Sequence, residues 1–443
     1  MRIFIVGAGE VGYHIASSLC GEGHDLVVIE RDAERARRLH KELDVLVVTG
    51  DGCDARVLKQ NGVGDSALFF AVSNDDASNL LAAATARRLG AGKCVVRVGR
   101  AFHGLNPLIT DDDKILPLYP ERLVAEEIHA LTRVPGASKA HFFADGKLVL
   151  VKVRPSLKAD IYGRPLKDIH GPEGWILTGI FRADGLLIPR GDTVLRGGDV
   201  VYAVGRADNV PEFMSSIGIE ANPTRRVVIA GGGQVGFWLS KLLCSDTIDV
   251  TVIQRGAQRA FDLATEVPKA LVLRGNATDP EMLREARVDE ADYFIAATQD
   301  DEANILSSLL ARELGAKHEV TLFHRREFRE VLSAIRIDLP ISPRVMIAGS
   351  ILRMVHGSEI VNLDLIEEGD AEVVEFEVPA GAKVLKKSLE GLRVPRESII
   401  GAVMRGDELF VPRGSFQFQV GDRALVFTMN SALPALERMF QGR

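Results

Sequence analysis

The sequence is poor in cysteine and in aromatic residues. Its 443 residues include four cysteines, Cys20, Cys53, Cys94 and Cys244, and only 6% Phe, Trp and Tyr. No two of the cysteines form a CxxC pair, so the pattern gives neither a zinc knuckle nor a disulfide framework. Few and scattered cysteines fit a reducing compartment such as the cytosol.

Long hydrophobic runs are also absent from the sequence. A membrane-spanning helix needs about 20 consecutive apolar residues, and the best candidate, 341–355, is interrupted by Pro343, Arg344 and Arg353. The opening run, 3–9, is short and ends in glycine, so no secretory signal is predicted. A net charge of -7 argues against a chain-wide surface for nucleic acid. Work at a membrane would require another chain.

Patterns of known catalytic and metal sites are missing too. The sequence has no G-x-S-x-G elbow, no P-loop and no HExxH motif. Its ten histidines form no short pattern with Asp, Lys or Tyr that would suggest proton transfer. The sequence therefore predicts no catalytic residue and no metal site, and it disfavours an enzyme.

What the sequence does contain is an internal repeat. The segment LFFAVSNDDASNLLAAATARRLGA (68–91) aligns with YFIAATQDDEANILSSLLARELGA (293–316), and 11 of the 24 positions are identical without a gap. The glycine-rich stretches IVGAGEVG (5–12) and IAGGGQVG (229–236) are separated by a similar offset, as are IPRG…GGD and VPRG…VGD farther on. The chain is therefore a unit of about 220 residues that occurs twice.

The pattern within each repeat predicts the fold class α/β. In the first part of each repeat, short apolar runs alternate with helical stretches, which is typical of a Rossmann-like, doubly wound parallel sheet. In the later part, short strand-like runs are separated by Gly, Pro and Asp, which predicts a small α+β domain with a largely antiparallel sheet. Four domains are expected, at residues 1–135, 136–220, 221–357 and 358–443.

The first glycine turn fits a dinucleotide fingerprint. Gly7, Gly9 and Gly12 follow a strand and open a helix, where they permit the tight turn, the approach of a pyrophosphate and the packing of helix on strand. Glu30 ends the second predicted strand, where a carboxylate can accept hydrogen bonds from both ribose hydroxyls and repel a 2′-phosphate. The pattern favours NAD(H) over NADP(H). The alternative is a helix-packing turn beside a surface glutamate.

Further polar residues end the neighbouring strands of the first copy. Asp51 ends the third strand, Ser73 and Asn74 end the fourth, and Arg97 lies on the fifth. Ligands of open α/β sheets bind beyond the carboxyl ends of the strands, so these residues are expected to face the same crevice, with Arg97 in reach of a phosphate. For Asp51 and Asn74, ordinary turn and cap chemistry is the alternative.

The second copy keeps the glycine turn but differs from the first at the ends of the next two predicted strands. Gly231, Gly233 and Gly236 keep the turn, but Gln254 stands where Glu30 stood and Asn276 where Asp51 stood. An amide can still hydrogen-bond a ribose, but it lacks the charge that favours NAD and rejects a 2′-phosphate. The second cleft is therefore expected to bind a different nucleotide, to bind weakly, or to be structural only.

Two apolar stripes follow the predicted parallel sheets. They are AEEIHALTRV (125–134) in the first copy and GSILRMVHG (349–357) in the second. Their position favours pairing between modules, with packing inside each module as the alternative.

The order of these motifs resembles the TrkA family. The stretches that carry the resemblance are IVGAGEVG, VVIERD, GDGCD, AVSNDDASNLLAA, VVRVGR and LLIPRGDTVLRGGDVVYAVG. With the duplication, the resemblance covers the whole chain. Members of this family are cytosolic regulatory subunits of Trk-type bacterial potassium uptake systems, built of tandem RCK (KTN) domains.

The resemblance implies NAD(H) as the ligand of the Rossmann-like domains, with ATP or ADP as the alternative. It implies that Glu30 lies at the ribose, Ser73 and Asn74 near the adenosine, and Arg97 at a phosphate. The turn residues implied to bind are Gly7, Ala8, Gly9, Glu10, Val11 and Gly12 in the first copy, and Gly231, Gly233, Gln234, Val235 and Gly236, with Gln254, in the second.

The resemblance further implies a homotetramer. Eight RCK units would form a ring on the inner face of the plasma membrane, beneath a membrane-embedded potassium channel subunit that nucleotide state gates. Two other hypotheses stay open. One is an NAD-dependent oxidoreductase with an unrecognised catalytic group, and the other is a regulator of another potassium channel or an antiporter.

Overall fold

The computed structural model divides into two compact units, residues 1–124 with 342–355 and residues 125–341 with 356–443. The residues that the structure describes are 1–20, 23–99, 112–169, 171–182, 185–246, 248–325, 327–343, 346, 347, 350, 351, 355, 360–366 and 371–442.

The first unit is built on a six-stranded parallel sheet. Its strands are β1 (Arg2–Val6), β2 (Asp25–Glu30), β3 (Leu46–Thr49), β4 (Leu68–Ala71), β5 (Lys93–Arg97) and β6 (Ile115–Leu118). They lie in the spatial order β3-β2-β1-β4-β5-β6. The central strands are continuous apolar runs, and Ile3, Phe4 and Ile5 have no exposed surface, because a parallel sheet of this kind is covered on both faces. The order reverses between β1 and β4, which opens a crevice there.

Helices connect these strands, and most of them begin at an aspartate. They are α1 (Glu10–Leu19), α2 (Ala33–Glu42), α3 (Ala55–Gln60), α4 (Asp76–Arg88) and, after β6, α5 (Pro120–Arg133). The side chains of Asp32, Asp54 and Asp75 accept hydrogen bonds from first-turn N–H groups of α2, α3 and α4. Helix α1 begins instead at Gly9, without a side-chain cap. Its first N–H groups therefore face the crevice at the end of β1.

The second unit opens with an antiparallel sheet. Its strands are β7 (Lys139–Phe143), β8 (Leu148–Val153), β9 (Ile176–Arg182), β10 (Gly185–Leu187) and β11 (Val200–Arg206), and α6 (Val210–Ser216) follows. The spatial order is β10-β9-β11-β8-β7.

A parallel sheet follows with the topology of the first one. Its strands are β12 (Arg226–Ala230), β13 (Asp249–Gln254), β14 (Leu271–Arg274), β15 (Tyr293–Ala296), β16 (His318–Leu322) and β17 (Leu339–Ile341), in the order β14-β13-β12-β15-β16-β17. Its helices are α7 (Gln234–Ser245), α8 (Ala257–Glu266), α9 (Pro280–Glu285), α10 (Asp301–Leu314) and α11 (Phe328–Ala334).

A second antiparallel sheet and helix α12 (Leu433–Phe440) end the unit. The strands are β18 (Ile360–Ile366), β19 (Ala371–Glu377), β20 (Ser398–Arg405), β21 (Glu408–Phe410) and β22 (Arg423–Met429), in the order β18-β19-β22-β20-β21. The two antiparallel sheets share one apolar core, in which Tyr202 and Phe427 pack 5.6 Å apart. Phe427 lies so close to β9 that a Cβ at Gly179 would approach its ring to 2.7 Å. The duplicated α/β fold predicted from the sequence is confirmed.

The apolar stripe at 125–134 packs on the second parallel sheet. Tyr293 donates its hydroxyl to the Leu131 carbonyl at 3.3 Å, His129 Nε2 lies 2.5 Å from Asp246 Oδ2, and Thr224 donates to the Thr132 carbonyl at 2.6 Å. The stripe therefore serves the sheet of the other copy, which favours the pairing hypothesis over packing inside its own module.

The stripe at 349–357 is described only in part. Residues 349, 352–354, 356 and 357, and with them the expected domain boundary at 357/358, lie outside the described residues. Ile351, which is described, is fully buried, and its segment, 342–355, belongs to the unit of the first parallel sheet. The described part of the second stripe thus belongs with the other copy as well. Among the described residues, no helix has the length and apolar character to cross a membrane.

Candidate functional site: two nucleotide-type clefts

A cleft of about 590 Å³ opens at the carboxyl ends of β1, β2, β3 and β4. It occupies the switch point of the strand order, which is where open α/β sheets bind ligands. The predicted site residues that line it are Gly7, Gly9, Glu30, Asp51, Ser73 and Asn74. Arg31, Arg35, Cys53, Asp75 and Ser78 also line it, and the sequence analysis did not name them as site residues.

The three glycines of the first turn have three different roles. Gly7 has φ +99, and a Cβ there would lie 3.0 Å from the backbone of Ser73. A Cβ at Gly12 would lie 1.8 Å from the Gly7 carbonyl oxygen, so Gly12 is needed for α1 to pack against the turn. A Cβ at Gly9 would meet nothing within 4 Å. Gly9 is therefore not required by packing, and it leaves open space at the uncapped end of α1, where a pyrophosphate fits.

Glu30 is held at the end of β2 by the turn itself. Its Oε2 accepts a hydrogen bond from the Ala8 N–H at 2.5 Å, and its Oε1 accepts one from the Asp32 N–H at 2.8 Å. The residue is 8% exposed and lines the cleft. A carboxylate offers about four acceptor positions, so two remain for the hydroxyls of a ribose. The acceptor positions at this end of the cleft fit an adenosine with a free 2′-hydroxyl.

The end of β4 is braced by a buried asparagine. Asn79 Oδ1 accepts from the Ser73 N–H at 2.9 Å and from the Ser73 hydroxyl at 2.7 Å. Its Nδ2 donates to the carbonyls of Ser73 at 3.0 Å and Arg97 at 2.9 Å. Asn79 is completely buried on α4, so all four of these hydrogen bonds tie the β4 and β5 ends of the cleft together.

Arg97 lies behind the cleft rather than in its wall. Its guanidinium donates to Asn74 Oδ1 at 2.9 Å and to Glu121 Oε1 at 3.1 Å. Asn74 lines the cleft, so Arg97 connects the cleft wall to the first turn of α5. Contact with a ligand phosphate would require its release from these partners, and that contact stays a prediction.

The second parallel sheet carries an equivalent cleft of about 470 Å³. The predicted residues that line it are Gly231, Gly233, Gln234, Val235 and Gln254. A Cβ at Gly236 would lie 2.0 Å from the Gly231 carbonyl oxygen, whereas one at Gly233 would meet nothing within 4 Å. The division of roles among the glycines is therefore the same as in the first turn.

Hydrogen bonds around the second cleft repeat those of the first. Gln254 Oε1 accepts from the Gly232 N–H at 2.8 Å, as Glu30 does from Ala8. Asn304 Oδ1 accepts from Thr298 N–H at 3.0 Å, and its Nδ2 donates to the carbonyls of Thr298 and Leu322, both at 3.0 Å. The sequence analysis did not name this pair of asparagines, although their identity in the aligned segments is a signal that could have identified the brace.

Some predicted residues do not line a cleft. Ala8 contributes a backbone N–H to Glu30, Val11 is buried in α1, and the side chain of Glu10 lies outside the described residues. Gly12 and Gly236 contact the turn carbonyl instead of open space.

The ionisable groups that line the two clefts among the described residues are carboxylates, arginines and one cysteine. Among the described residues, no histidine lines either cleft, and no group of three or more His, Cys, Asp or Glu residues has the geometry of a metal site. Cys53 does line the first cleft, but burial, and next the charge of Asp51, raise the pKa of its thiol. The protonated thiol is a poor nucleophile.

Family models cover most of the chain. The TrkA-N domain model matches residues 3–104 and 227–343, which contain all the residues that line the two clefts. The TrkA-C domain model matches residues 149–218 and 373–441, within the regions of the two antiparallel sheets.

Relatives match the chain over its full length. A Trk system potassium uptake protein TrkA homolog of Archaeoglobus fulgidus is 34% identical over 444 residues, covering 100% of both chains. The Trk system potassium uptake protein TrkA of Halomonas elongata is 32% identical over 458 residues, covering 100% of this chain and 99% of its own.

Solved structures share the fold. The crystal structure of the GsuK RCK domain matches with a TM-score of 0.63 at 20% identity, over 99% of this chain and 94% of that chain. The GsuK channel bound to NAD matches with a TM-score of 0.61 at 19% identity, over 99% of this chain and 78% of that one. At these identities the likeness establishes the fold.

Proposed function

Since the chain belongs to the TrkA family of Trk system potassium uptake proteins, we propose that it is a nucleotide-sensing regulatory subunit that gates a membrane-embedded Trk-type potassium channel. Regulation of potassium uptake is the function that full-length similarity to TrkA proteins supports. The observation that carries the sensing role is the first cleft, with Glu30 fixed at the ribose end and Gly9 open at the pyrophosphate end.

The ligand proposed for the first cleft is NAD(H), with ATP or ADP as the alternative. Gly7 to Gly12 would hold the pyrophosphate, Glu30 the ribose, and Ser73 and Asn74 the adenosine side. A structure of the GsuK channel is described as bound to NAD and another as bound to ADP, which agrees with an RCK-type cleft that accepts either kind of nucleotide. The proposed role of the ligand is that of a signal, which is supported by the lack of a histidine among the described residues that line either cleft.

The route proposed for the signal starts at the wall of the first cleft. Asn74 is joined to Arg97, and Arg97 to Glu121 on α5. A ligand phosphate that competes for Arg97 would weaken its pair with Glu121 and so change how α5 is held. Ligands shift an equilibrium only through different affinities for its two states, and an ion pair present in one state alone supplies such a difference.

The proposed assembly is a homotetramer on the inner face of the plasma membrane. The four RCK half-units of each chain are the proposed domains 1–135, 136–220, 221–357 and 358–443. Each of the four sheets falls inside one of these ranges. Four chains would supply eight RCK units for a ring under the channel subunit.

Nucleotide binding to matched variants tests the proposal. NADH, NAD, ATP and ADP would be titrated calorimetrically into the full chain carrying Gly233→Val, which fills the second cleft, with and without Glu30→Ala. Glu30→Ala should weaken NADH binding by about 1–3 kcal/mol, because charge-assisted hydrogen bonds to the ribose are lost. Gly9→Val in the same background should abolish it.

Oligomer mass and turnover complete the test. Light scattering should give four times the mass of one chain, and NADH should not be consumed with small carbonyl compounds. A monomer with and without nucleotide, or NADH oxidation that Gly9→Val removes, would contradict a ring-forming sensor. Co-purification with a channel or antiporter of another type would contradict the Trk partner.

A further inference from the structure

The two clefts carry opposite charge at the ribose end. The segment that ends the second strand and opens the next helix reads ERDAER at 30–35 in the first copy and QRGAQR at 254–259 in the second. Both arginines are retained, and all three acids are replaced by neutral residues. The two segments occupy the same place in the fold, because Gly7 N–H bonds the Ile29 carbonyl and Gly231 N–H bonds the Ile253 carbonyl, each at 2.9 Å.

The charges that line the clefts differ accordingly. In the first cleft the charged lining residues are three carboxylates, Glu30, Asp51 and Asp75, and two guanidiniums, which gives a net charge of -1. In the second, one carboxylate, Asp300, stands against Arg255 and Arg259, which gives +1. The replacement of Asp51 by Asn276 contributes to this reversal of net charge, as does the replacement of Glu30 by Gln254.

The arginines of the first cleft have carboxylate neighbours. The pKa of Asp75 is held low by hydrogen bonds from Ser78, and the positive charge of Arg31 lowers it further. Asp32, whose pKa is lowered first by the Arg35 and Glu34 N–H groups, also feels the charge of Arg35. The carboxylates that cap α2 and α4 thus interact with the charges of both guanidiniums.

The arginines of the second cleft share its lining with fewer carboxylates. Gly256 stands where Asp32 stood, and within the described part of the chain neither Arg255 nor Arg259 forms an ion pair or a hydrogen bond. Both side chains are exposed and line the cleft. Two guanidiniums that line one cleft with a single carboxylate favour an anion, and a phosphate above all.

The residue that ends the second strand of each parallel sheet also changes, from a carboxylate, which only accepts hydrogen bonds, to an amide, which can also donate them. In the first cleft Glu30 Oε1 accepts from the Asp32 N–H. In the second, Gln254 Oε1 is taken by Gly232, and Gln254 Nε2 is turned toward Gly256, 3.3 Å from where its Cβ would lie. Gln254 therefore offers an N–H donor on the side of Arg255, at the place where a ribose 2′ substituent is recognised.

A second observation points to a ligand at the other end of this cleft. Gln234 Oε1 is buried, its residue lines the cleft beside the turn, and it accepts no hydrogen bond from any described group. A buried acceptor without a donor costs free energy, and a bound molecule with an N–H or O–H group would satisfy it.

We propose that the second cleft binds an adenine dinucleotide that carries a 2′-phosphate, of the NADP(H) type, while the first binds the form with a free 2′-hydroxyl. The proposal rests on the function proposed above and divides it between the copies: one chain reads two nicotinamide pools. The guanidiniums lie at the end of β13 and the start of α8, on the ribose side. A 5′-triphosphate would place its charge at the glycine turn instead, away from Arg255 and Arg259.

Calorimetry with the first cleft blocked tests this proposal. The full chain carrying Gly9→Val should bind NADPH at least about tenfold more tightly than NADH, because charge-assisted hydrogen bonds to the 2′-phosphate exist only for NADPH. Adenosine 2′,5′-bisphosphate should likewise bind more tightly than ADP. The preference should shrink at high salt, since the guanidiniums are exposed.

Substitutions at the ribose end should remove the preference. Arg255→Gln with Arg259→Gln should make NADPH and NADH equivalent, and Gln254→Glu should reverse the order. The matched control is Arg284→Gln in the same Gly9→Val chain, which should leave the preference for NADPH unchanged, because Arg284 is exposed and does not line the second cleft. Wild type, which needs no blocking substitution, should bind one NADH and one NADPH per chain without competition.

The outcomes separate this inference from the proposed function. The inference would be overturned if the second cleft bound NADPH and NADH with equal affinity, bound ATP more tightly than NADPH, or bound no nucleotide. The proposed function would still stand in these cases, provided that NADH binds at the first cleft. Loss of NADH binding at the first cleft as well would overturn the function. Competition between NADH and NADPH for one site in wild type would also contradict two specialised clefts.

Discussion

At the residue scale, the glycine turns depend on two asparagines that no motif names. Asn79 and Asn304 lie one turn inside α4 and α10, are completely buried, and each make hydrogen bonds to the end of one strand and the carbonyl of the next. Neither lines its cleft. Their role is to position the residues that do, and Ser73 and Thr298 are the residues positioned.

The substitution Asn79→Asp tests this positioning role. Aspartate keeps the acceptor for Ser73 but loses both donors, so the Ser73 and Arg97 carbonyls would face a carboxylate oxygen. The free energy of unfolding should fall by about 2–3 kcal/mol, the cost of buried groups left without partners. Urea denaturation measures the loss, and calorimetry should show weaker NADH binding at the first cleft.

Asn304→Asp is the matched control for this prediction. It should cost similar stability while leaving NADH affinity at the first cleft unchanged, because it disturbs the second cleft only. An Asn79→Asp chain with wild-type stability and wild-type NADH affinity would show that the brace has no such role.

At the element scale, the later motif of each repeat is a pair of hydrogen-bonded charges inside the antiparallel sheet. Asp199, in GGD, accepts two hydrogen bonds from Arg182 on β9, both at 2.9 Å, and one from the Arg196 N–H. Asp422, in VGD, accepts the same pattern from Arg405 on β20, both at 2.8 Å. The aspartates are 4% and 0% exposed, so these two pairs are buried parts of the antiparallel sheets.

Breaking the first of these pairs should destabilise the protein in a pH-dependent way. Burial raises the pKa of the Asp199 carboxyl, but the hydrogen bonds from Arg182 and Arg196 outweigh it and leave the pKa below the ordinary value of 3.8. The pair therefore stabilises the fold at neutral pH, and its contribution is lost only as the pH falls below about 4. Arg182→Met should cost about 3–5 kcal/mol at pH 7, since it leaves a buried charge without a partner.

The sign of the pH effect distinguishes this explanation from lost packing. In Arg182→Met the Asp199 carboxyl loses the guanidinium that lowers its pKa, and only the N–H and charge of Arg196 still oppose burial, which raises it. The pKa should therefore be higher than in wild type, and acid should relieve the variant before it affects wild type. The difference in unfolding free energy, measured by urea denaturation, should narrow from pH 7 to pH 4. A difference that stays constant over this range would point to packing instead.

At the scale of the whole molecule, the two halves of the sequence are not the two structural units. Residues 342–355 belong to the unit of the first parallel sheet, and 125–134 packs with the second. The stripe at 125–134 thus packs on the sheet of the other copy, and Ile351, in the described part of the second stripe, belongs to the unit of the first parallel sheet.

The substitution Ile351→Ala tests whether the second stripe stabilises the unit of the first parallel sheet. Ile351 is fully buried, and its truncation should cost about 2–4 kcal/mol. Hydrogen exchange should then increase in residues 1–124 rather than in 227–341, although Ile351 lies in the second half of the sequence. Leu131→Ala should do the reverse. If hydrogen exchange in the Ile351→Ala chain increased only in residues 227–341, the assignment of Ile351 to the unit of the first parallel sheet would be wrong.

Sequence alone determined the duplication, the α/β class and the turn chemistry of this protein. Hydrophobic period and glycine spacing are local properties, so strands, helices, the two fingerprints and the contrast of Glu30 with Gln254 can all be read from neighbouring residues. Tertiary structure decided what depends on distant segments meeting. It set Asn79 between β4 and β5, and placed Arg97 against Glu121 rather than in the cleft wall. It brought Arg255 and Arg259 into one cleft with a single carboxylate, Asp300. It also assigned the stripe at 125–134 to the second parallel sheet. Burial and charge balance depend on neighbours that are remote in the chain.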